Sequence, residues 1–301
     1  MKYDDRDLPP GVTSHLLLQL IRNDFASRVS DLGLAGLLAP DVDGYENNFR
    51  IAEGYAEVPR RLAEGGDVRV NHVASAIVRH SDRVDVITNR GVYSGNVAVS
   101  CLPVGVLQAG DVLFDPPLGE AKAAAIASIN AGTATKLVLC FRRNNMGTTF
   151  WPTAMPLLAT SLATQLWWPT GWGYGDQRHF LASCLVGGAG VTRFAGRDPR
   201  QVGLAQLAHM FGRERVESKV LFPYYVKSWH DDQRIKGGYS SLPVGVDHDA
   251  LLQELESPED DAYPQLFFAG DYVSRHPGSA HSAYQSGIDA VQRVVRMRRT
   301  G

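Results

Sequence analysis

The sequence predicts an α+β protein made of two interleaved lobes, and three observations lead there. At about 150 residues per domain, 301 residues amount to two domains or one large one. Segments of period-two alternation are mixed with segments of three- and four-residue apolar spacing, so strands and helices both occur. They follow one another without an internal repeat, a low-complexity tract or a long linker, which implies a chain that crosses between its lobes more than once.

The elements read as follows. Residues 12–39, "VTSHLLLQLIRNDFASRVSDLGLAGLLA", have the spacing of two amphipathic helices. From Asp67 the period changes, and Val68, Val70, Val84 and Val86 alternate through short strands with turns at "HSD" and "NRG". Asn96 to Leu102 is almost continuously apolar, as in a strand buried on both faces. "GEAKAAAIASIN" is a helix whose small residues suit close packing. Residues 133–240 are strand-rich, with candidate strands in "TKLVLCF", "PLLATSLATQLWWP" and "RHFLASCLVGGAG", and an amphipathic helix in "DPRQVGLAQLAHMFG" capped near Asp198. The last segment is a buried strand, a loop rich in Gly, Ser, Pro and His, and a helix opening near Ser282. That order presents backbone N–H groups to a phosphate or another polar ligand.

Composition narrows the function classes. With 44% hydrophobic and 21% charged residues, 30 Gly and 16 Pro, the chain is neither disordered nor fibrous. Thirty Lys and Arg against 32 Asp and Glu give a net charge of -2, and so no field that would gather nucleic acid or an anionic membrane. No apolar run reaches the roughly 18–20 residues of a spanning helix. Met1 is followed by "KYDDRDLPPG", without the pattern of a signal or transit peptide. Cys101, Cys140 and Cys184 lie in apolar runs and read as reduced core residues, which leads to the expectation of a cytoplasmic protein.

Several motifs carry no chemistry. "GGAGVTRFAG", from Gly187 to Gly196, lacks the G-x-G-x-x-G register and an acidic residue ending a second strand, so it reads as a structural turn. His230, Asp231 and Asp232 are sequence neighbours, which seldom converge on one ion, and no metal site is expected. No G-x-S-x-G elbow is present.

One set of stretches is far more specific. "LFFAGDYVSRHPGSAHSAYQSGIDAV" resembles the C-terminal flavin-binding signature of the flavin-containing amine oxidases, the monoamine and polyamine oxidase family. "FRIAEGYAEVPRRLAEG", "VRVNHVASAIVRHSDRVDVITNRG", "AVSCLPVGVLQAGDVLFDPPLGEAKAAAIASINAGTATKLVLCF" and "SWHDDQRIKGGYSSLPVG" resemble the same family in colinear order, from about Phe49 to Val295. Family members open with a strand, a G-x-G-x-x-G turn and a helix. This sequence starts instead in what resembles the helical part of the substrate lobe. The resemblance therefore implies the C-terminal two thirds of an oxidase. It implies an incomplete FAD-binding lobe of the Rossmann-like, glutathione-reductase type over about 46–115 and 240–301. A mixed-sheet and helical substrate lobe would take up 1–45 and 116–239.

The resemblance also implies residue roles. Lys136 falls where the family hydrogen-bonds a lysine through water to flavin N5, although without that resemblance it reads first as a strand-end lysine snorkelling to solvent. Trp229 and Tyr239 keep the spacing of the family's "W...GGxY"-like stretch, and Tyr239 falls on one wall of the aromatic cage, which orients an amine and shields it from water. The opposite wall aligns with Ser279, so half of the cage is missing, and Tyr284 is expected to pack its helix against the sheet. Gly270 and Asp271 match the Gly-acid pair that meets the ribitol. Ser279, Ala280 and His281 precede a helix whose N-terminus faces the flavin O2 edge, while Val73 and Ala74 touch the adenine edge. Where monoamine oxidases carry a flavin-linked cysteine this sequence has Gly238, which implies non-covalent FAD.

The activity so implied is oxidation of an amine or amino acid to an imine, with O2 as acceptor and H2O2 as product. It would require a second polypeptide supplying the dinucleotide-binding half, or assembly as a homo-oligomer. Two other readings stay open: a non-catalytic or fragmentary oxidase-like subunit, and an FAD-dependent desaturase. An uncovered parallel sheet would make a stable lone monomer surprising.

Overall fold

The computed structural model describes Ala26 and residues 29–32, 51, 53–143, 149–151, 158–159, 166–170, 178–259 and 264–300. Apart from Ala26, a 3-10 turn at Val29–Asp31 and the buried Leu32, the predicted helices over 12–39 lie outside the described residues. The chain divides into two compact units, one of Met1–Leu32 and Asn130–Val244, the other of Gly33–Ile129 and Gly245–Gly301. The architecture is mixed α+β.

The first unit is built on a five-stranded antiparallel sheet in the order β10-β6-β9-β8-β7. Its strands are β6 (Ala134–Arg142), β7 (Leu158–Ala159), β8 (Leu166–Thr170), β9 (His179–Gly187) and β10 (Val220–Ser228). Alternation decides its faces. Leu137, Leu139 and Phe141 point into a core with Phe150, Trp167, Phe180 and Leu207, while Lys136, Val138 and Cys140 occupy the half-buried opposite face. Helix α4 (Pro199–Phe211) packs on the core side; Asp198 caps it by accepting from Arg200 N–H, and a short α5 (Arg213–Glu217) follows. The glycine run after β9 is a 3-10 turn, Gly188–Phe194, and part of the core packing.

In the second unit, β1 (Ala74–Arg79), β2 (Val84–Thr88), β3 (Gly91–Gly95) and β5 (Leu113–Asp115) make a sheet ordered β3-β2-β1-β5. The turns fall at "HSD" and "NRG", as the alternation predicts. Val68 and Val70, however, precede the sheet and are exposed; Arg69 there pairs with Asp67 and lies over the Tyr93 ring. A parallel pair joins β4 (Ala98–Ser100) to β11 (Leu266–Phe268), whose three residues are buried. The β4 strand is shorter than the apolar run suggests, and Ala98 and Val99 are only half-buried.

Helices α1 (Glu57–Leu62), α2 (Val104–Ala109), α3 (Glu120–Ser128), α6 (His248–Glu256) and α7 (Ala280–Thr300) complete this unit. Helix α3 is tied to α6. Lys122, nearly fully buried, donates its ammonium to the carbonyls of Glu254 and Ser257, and Gly119 N–H donates to Glu259 Oε1 at 2.5 Å. Cys184 is buried and Cys140 half-buried, but Cys101 is exposed, so the expectation of three core cysteines fails at the end of β4.

Candidate functional site

Two clusters gather the predicted site residues, one in each unit. In the second unit β11 ends at Phe268, and after Ala269 the chain turns at Gly270, whose φ is +151°. A Cβ there would stand 2.7 Å from Tyr272 Cε1, so the glycine is required by the chain's own tyrosine folding back on it. Gly270 is then pinned to α7: its N–H donates to Ser286 Oγ at 2.9 Å, and that hydroxyl is equally close to Gly270 O.

Asp271, half-buried, accepts from Gly278 N–H at 3.2 Å and so closes the loop 271–278. Ser279 Oγ accepts from Ser282 N–H at 3.3 Å, donates to Ser282 Oγ at 2.8 Å, and lies 3.3 Å from His281 Nε2. It is the cap of α7, a different job from the cage wall, and Ala280 and His281 are already exposed first-turn residues. Tyr284 is exposed rather than packed on the sheet.

Polar atoms test whether this turn suits a cofactor. Ser100 Oγ and Tyr272 Oη are buried without a hydrogen-bond partner where β4 and β11 come to their carboxyl ends, and burial pushes the Tyr272 phenol above its ordinary pKa. Orphaned hydroxyls, a carboxylate and helix N–H groups outside the carboxyl ends of parallel strands fit the hydroxyl- and phosphate-bearing edge of a dinucleotide. Val73 and Ala74 stand on the other sheet: Val73 N–H donates to Asn89 Oδ1 at 2.8 Å, and Ala74 opens β1 opposite Thr88.

In the first unit Lys136, Trp229 and Tyr239 are brought to one end of β6. Trp229 N–H donates to Ala134 O at 3.1 Å, and Asn130 and Ser241 exchange backbone bonds, which closes the loop between them. Gly238 N–H donates to Ala131 O at 2.9 Å within that loop. A Cβ at Gly238 would meet Ala134 Cβ at 3.1 Å, so the position expected to hold a flavin-linked cysteine in relatives has little space for a side chain. Gly132, with φ +63°, sits where a Cβ would be 2.5 Å from Tyr239 O. It is a positioning residue the sequence reading missed, and "NAG" before the strand was its signal.

Lys136 Nζ stands 5.6 Å from the centroid of the Trp168 ring, two strands away, and burial lowers its pKa. Its partner in register on β10, Lys227, is bound to Asp232. Trp168 was also missed; alternation in "LWWP" places it on the face opposite the core residue Trp167. His230 Nδ1 approaches Ala134 O at 3.3 Å and Asp232 accepts from Arg234 N–H, so neither is arranged around an ion. Among the described residues no group of three His, Cys, Asp or Glu could hold a metal.

A cleft of about 820 Å3 in the second unit contains none of the predicted residues. Its buried charges are already engaged with one another: Arg79 pairs with Glu259 at 3.4 Å, and Lys122 caps α6.

Comparison with known proteins gives the same direction. Polyamine oxidase 2 from Arabidopsis thaliana is 32% identical over 254 residues, covering 80% of this chain and 48% of its own length. Human lysine-specific histone demethylase 2 is 26% identical over 255 residues, covering 81% and 30%. A structure of putrescine oxidase bound to putrescine superposes with a TM-score of 0.66 at 16% identity, over 81% of this chain and 53% of that one, and so shares the fold. The chain spans about half the length of the plant relatives it matches. Residues 21–295 match the family of flavin containing amine oxidoreductases, and the chain belongs to that family.

Proposed function

We propose that this chain takes part in FAD-dependent oxidation of an aliphatic amine, together with a partner that supplies the dinucleotide-binding half. Bound FAD supplies the two-electron acceptor that turns the amine into an imine, and O2 carries the electrons on to H2O2. Asp271 accepts from ribityl hydroxyls, and the capped start of α7, from Ser279 through His281, offers N–H groups to the O2 edge of the ring. Val73 and Ala74 serve the adenine edge, and Gly238 leaves the cofactor non-covalent.

Tyr239 and Trp229 orient the amine and exclude water, so that it binds as the neutral base and needs no protein base to deprotonate it. Lys136 Nζ holds a water against the reacting edge. The observation that carries the reading is this lysine, desolvated beside Trp168 on the face of the sheet turned from the core. The three free thiols suit a reducing, cytoplasmic setting. The partner is supported by β4, which has a neighbouring strand on one side only among the described residues.

The first test is the visible spectrum of the purified chain after addition of FAD and desalting, with and without a second polypeptide carrying a G-x-G-x-x-G turn. A flavin band retained with the partner, followed by peroxide release on an amine, is the expected result. No retained band in either arm overturns the reading. In the assembled protein Lys136→Met slows reoxidation by O2 more than reduction by the amine, and unchanged reoxidation in stopped flow removes Lys136 from that role.

A further inference from the structure

Helix α7 has a buried inner face of small residues and an apolar stripe on its outer side. The inner face, with Ser282, Ser286 and Ala290, is buried. On the outer side Tyr284, Val291 and Val295 are 53%, 53% and 42% exposed, and Ile288 is half-buried between them. Spacings of four, three and four place these residues within an arc of about 60° at 3.6 residues per turn. That is a narrow seam of the kind one helix offers to another.

The charges beside the seam are of one sign. Arg298 and Arg299 straddle it one turn beyond Val295. The single acidic residue of α7, Asp289, lies around the helix from the seam and accepts from Gln285 Nε2 at 2.9 Å. A second copy of α7 would therefore be a poor occupant. Packed parallel it would set arginines against arginines; packed antiparallel it would set them against a first turn with no carboxylate.

We propose that the outer face of α7, along Tyr284, Ile288, Val291 and Val295, is a docking seam for an amphipathic helix of a partner polypeptide whose flanks carry carboxylates. The apolar seam supplies the attraction and the arginines set direction and partner choice. The inference deepens the partner half of the proposed function by naming where that partner sits. It can fail separately, because its test contains no flavin.

The probe is a fluorescent helical peptide of the same length as α7 with a leucine seam flanked by glutamates, titrated with the full chain by anisotropy. Its control has lysines in place of the glutamates. The expected result is saturable, salt-sensitive binding of the glutamate peptide, with the lysine peptide about tenfold weaker. Val291→Glu with Val295→Glu weakens the glutamate peptide at least about tenfold, because a charge must enter the seam. Arg298→Glu with Arg299→Glu inverts the preference between the peptides. All four positions are exposed, and an unchanged circular dichroism melt certifies each variant as folded. Equal binding of both peptides, or binding of neither, overturns the proposal. So does a dimer of the wild-type chain in light scattering that the Val291→Glu, Val295→Glu variant dissolves, since the occupant is then a second copy.

Discussion

Lys136 shows how a single residue carries two opposed requirements. Burial works against its charge, and the Trp168 ring offers partial compensation. Because the folded state holds the ammonium less well than the unfolded chain does, the penalty is present wherever the unfolded lysine is protonated. It fades as pH rises through the folded and then the ordinary lysine pKa of 10.5. Lys136→Met is therefore expected to melt at or above the wild-type temperature at neutral pH, with the gap closing in alkali. A lower melt at neutral pH would show that the ammonium stabilises the fold.

At Gly270 the expectation has the opposite sign. Gly270→Ala adds a methyl group 2.7 Å from the Tyr272 ring at a φ unsuited to alanine, and should cost about 2–4 kcal/mol in urea unfolding. A Tyr272→Ala background should recover part of that loss, and additive effects would mean that the ring is not the obstacle. At this scale the sequence was informative at Gly270, where the backbone does require a glycine. It was uninformative where two residues meet only through strand pairing, as Lys136 and Trp168 do.

The elements followed their local signals closely where those signals were uninterrupted. The alternation of "TKLVLCF" became β6, and Asp198 before an apolar-periodic run became the cap of α4. Asp198→Ala should cost about 1 kcal/mol, read as a lower urea midpoint at unchanged slope. β10 was overlooked because Pro223 breaks its run. The chain keeps that proline on an edge strand, within the register shift between Leu221 and Tyr225, where a missing N–H costs no ladder bond.

α6 was overlooked although Asp247 caps it and Leu251, Leu252 and Leu255 lie on its buried side. What completes α6 comes from far away in the chain, the Lys122 ammonium on the carbonyls at its end. Lys122→Met should destabilise by about 2–3 kcal/mol, since those carbonyls lose a charged donor in a buried setting. A neutral effect would show that water replaces the ammonium.

For the whole molecule, the mixed α+β composition could be read from the order of periods, while no change of composition marks the division of the units near 129. The two units can be followed separately. All five tryptophans, at 151, 167, 168, 172 and 229, belong to the first unit, and Cys184 lies in its core, whereas Cys101 is exposed in the second. A thiol reagent should label Cys101 in the native protein. It should reach Cys184 only as tryptophan emission shifts to that of the unfolded chain, and early labelling of Cys184 would mean that the first unit opens locally.

The pairing of β4 with β11 has a bearing on how the chain is made. Ala98 must find Leu266, so β4 leaves the ribosome long before its neighbour exists, and the entire sheet of the first unit is synthesised in between. Through that interval β4 can only wait or pair wrongly, a hazard of parallel strands joined across a long separation. The second unit can close only when translation is almost finished. A nascent chain arrested before Leu266 should hold the first unit folded while its β4 stays open to proteases and chaperones.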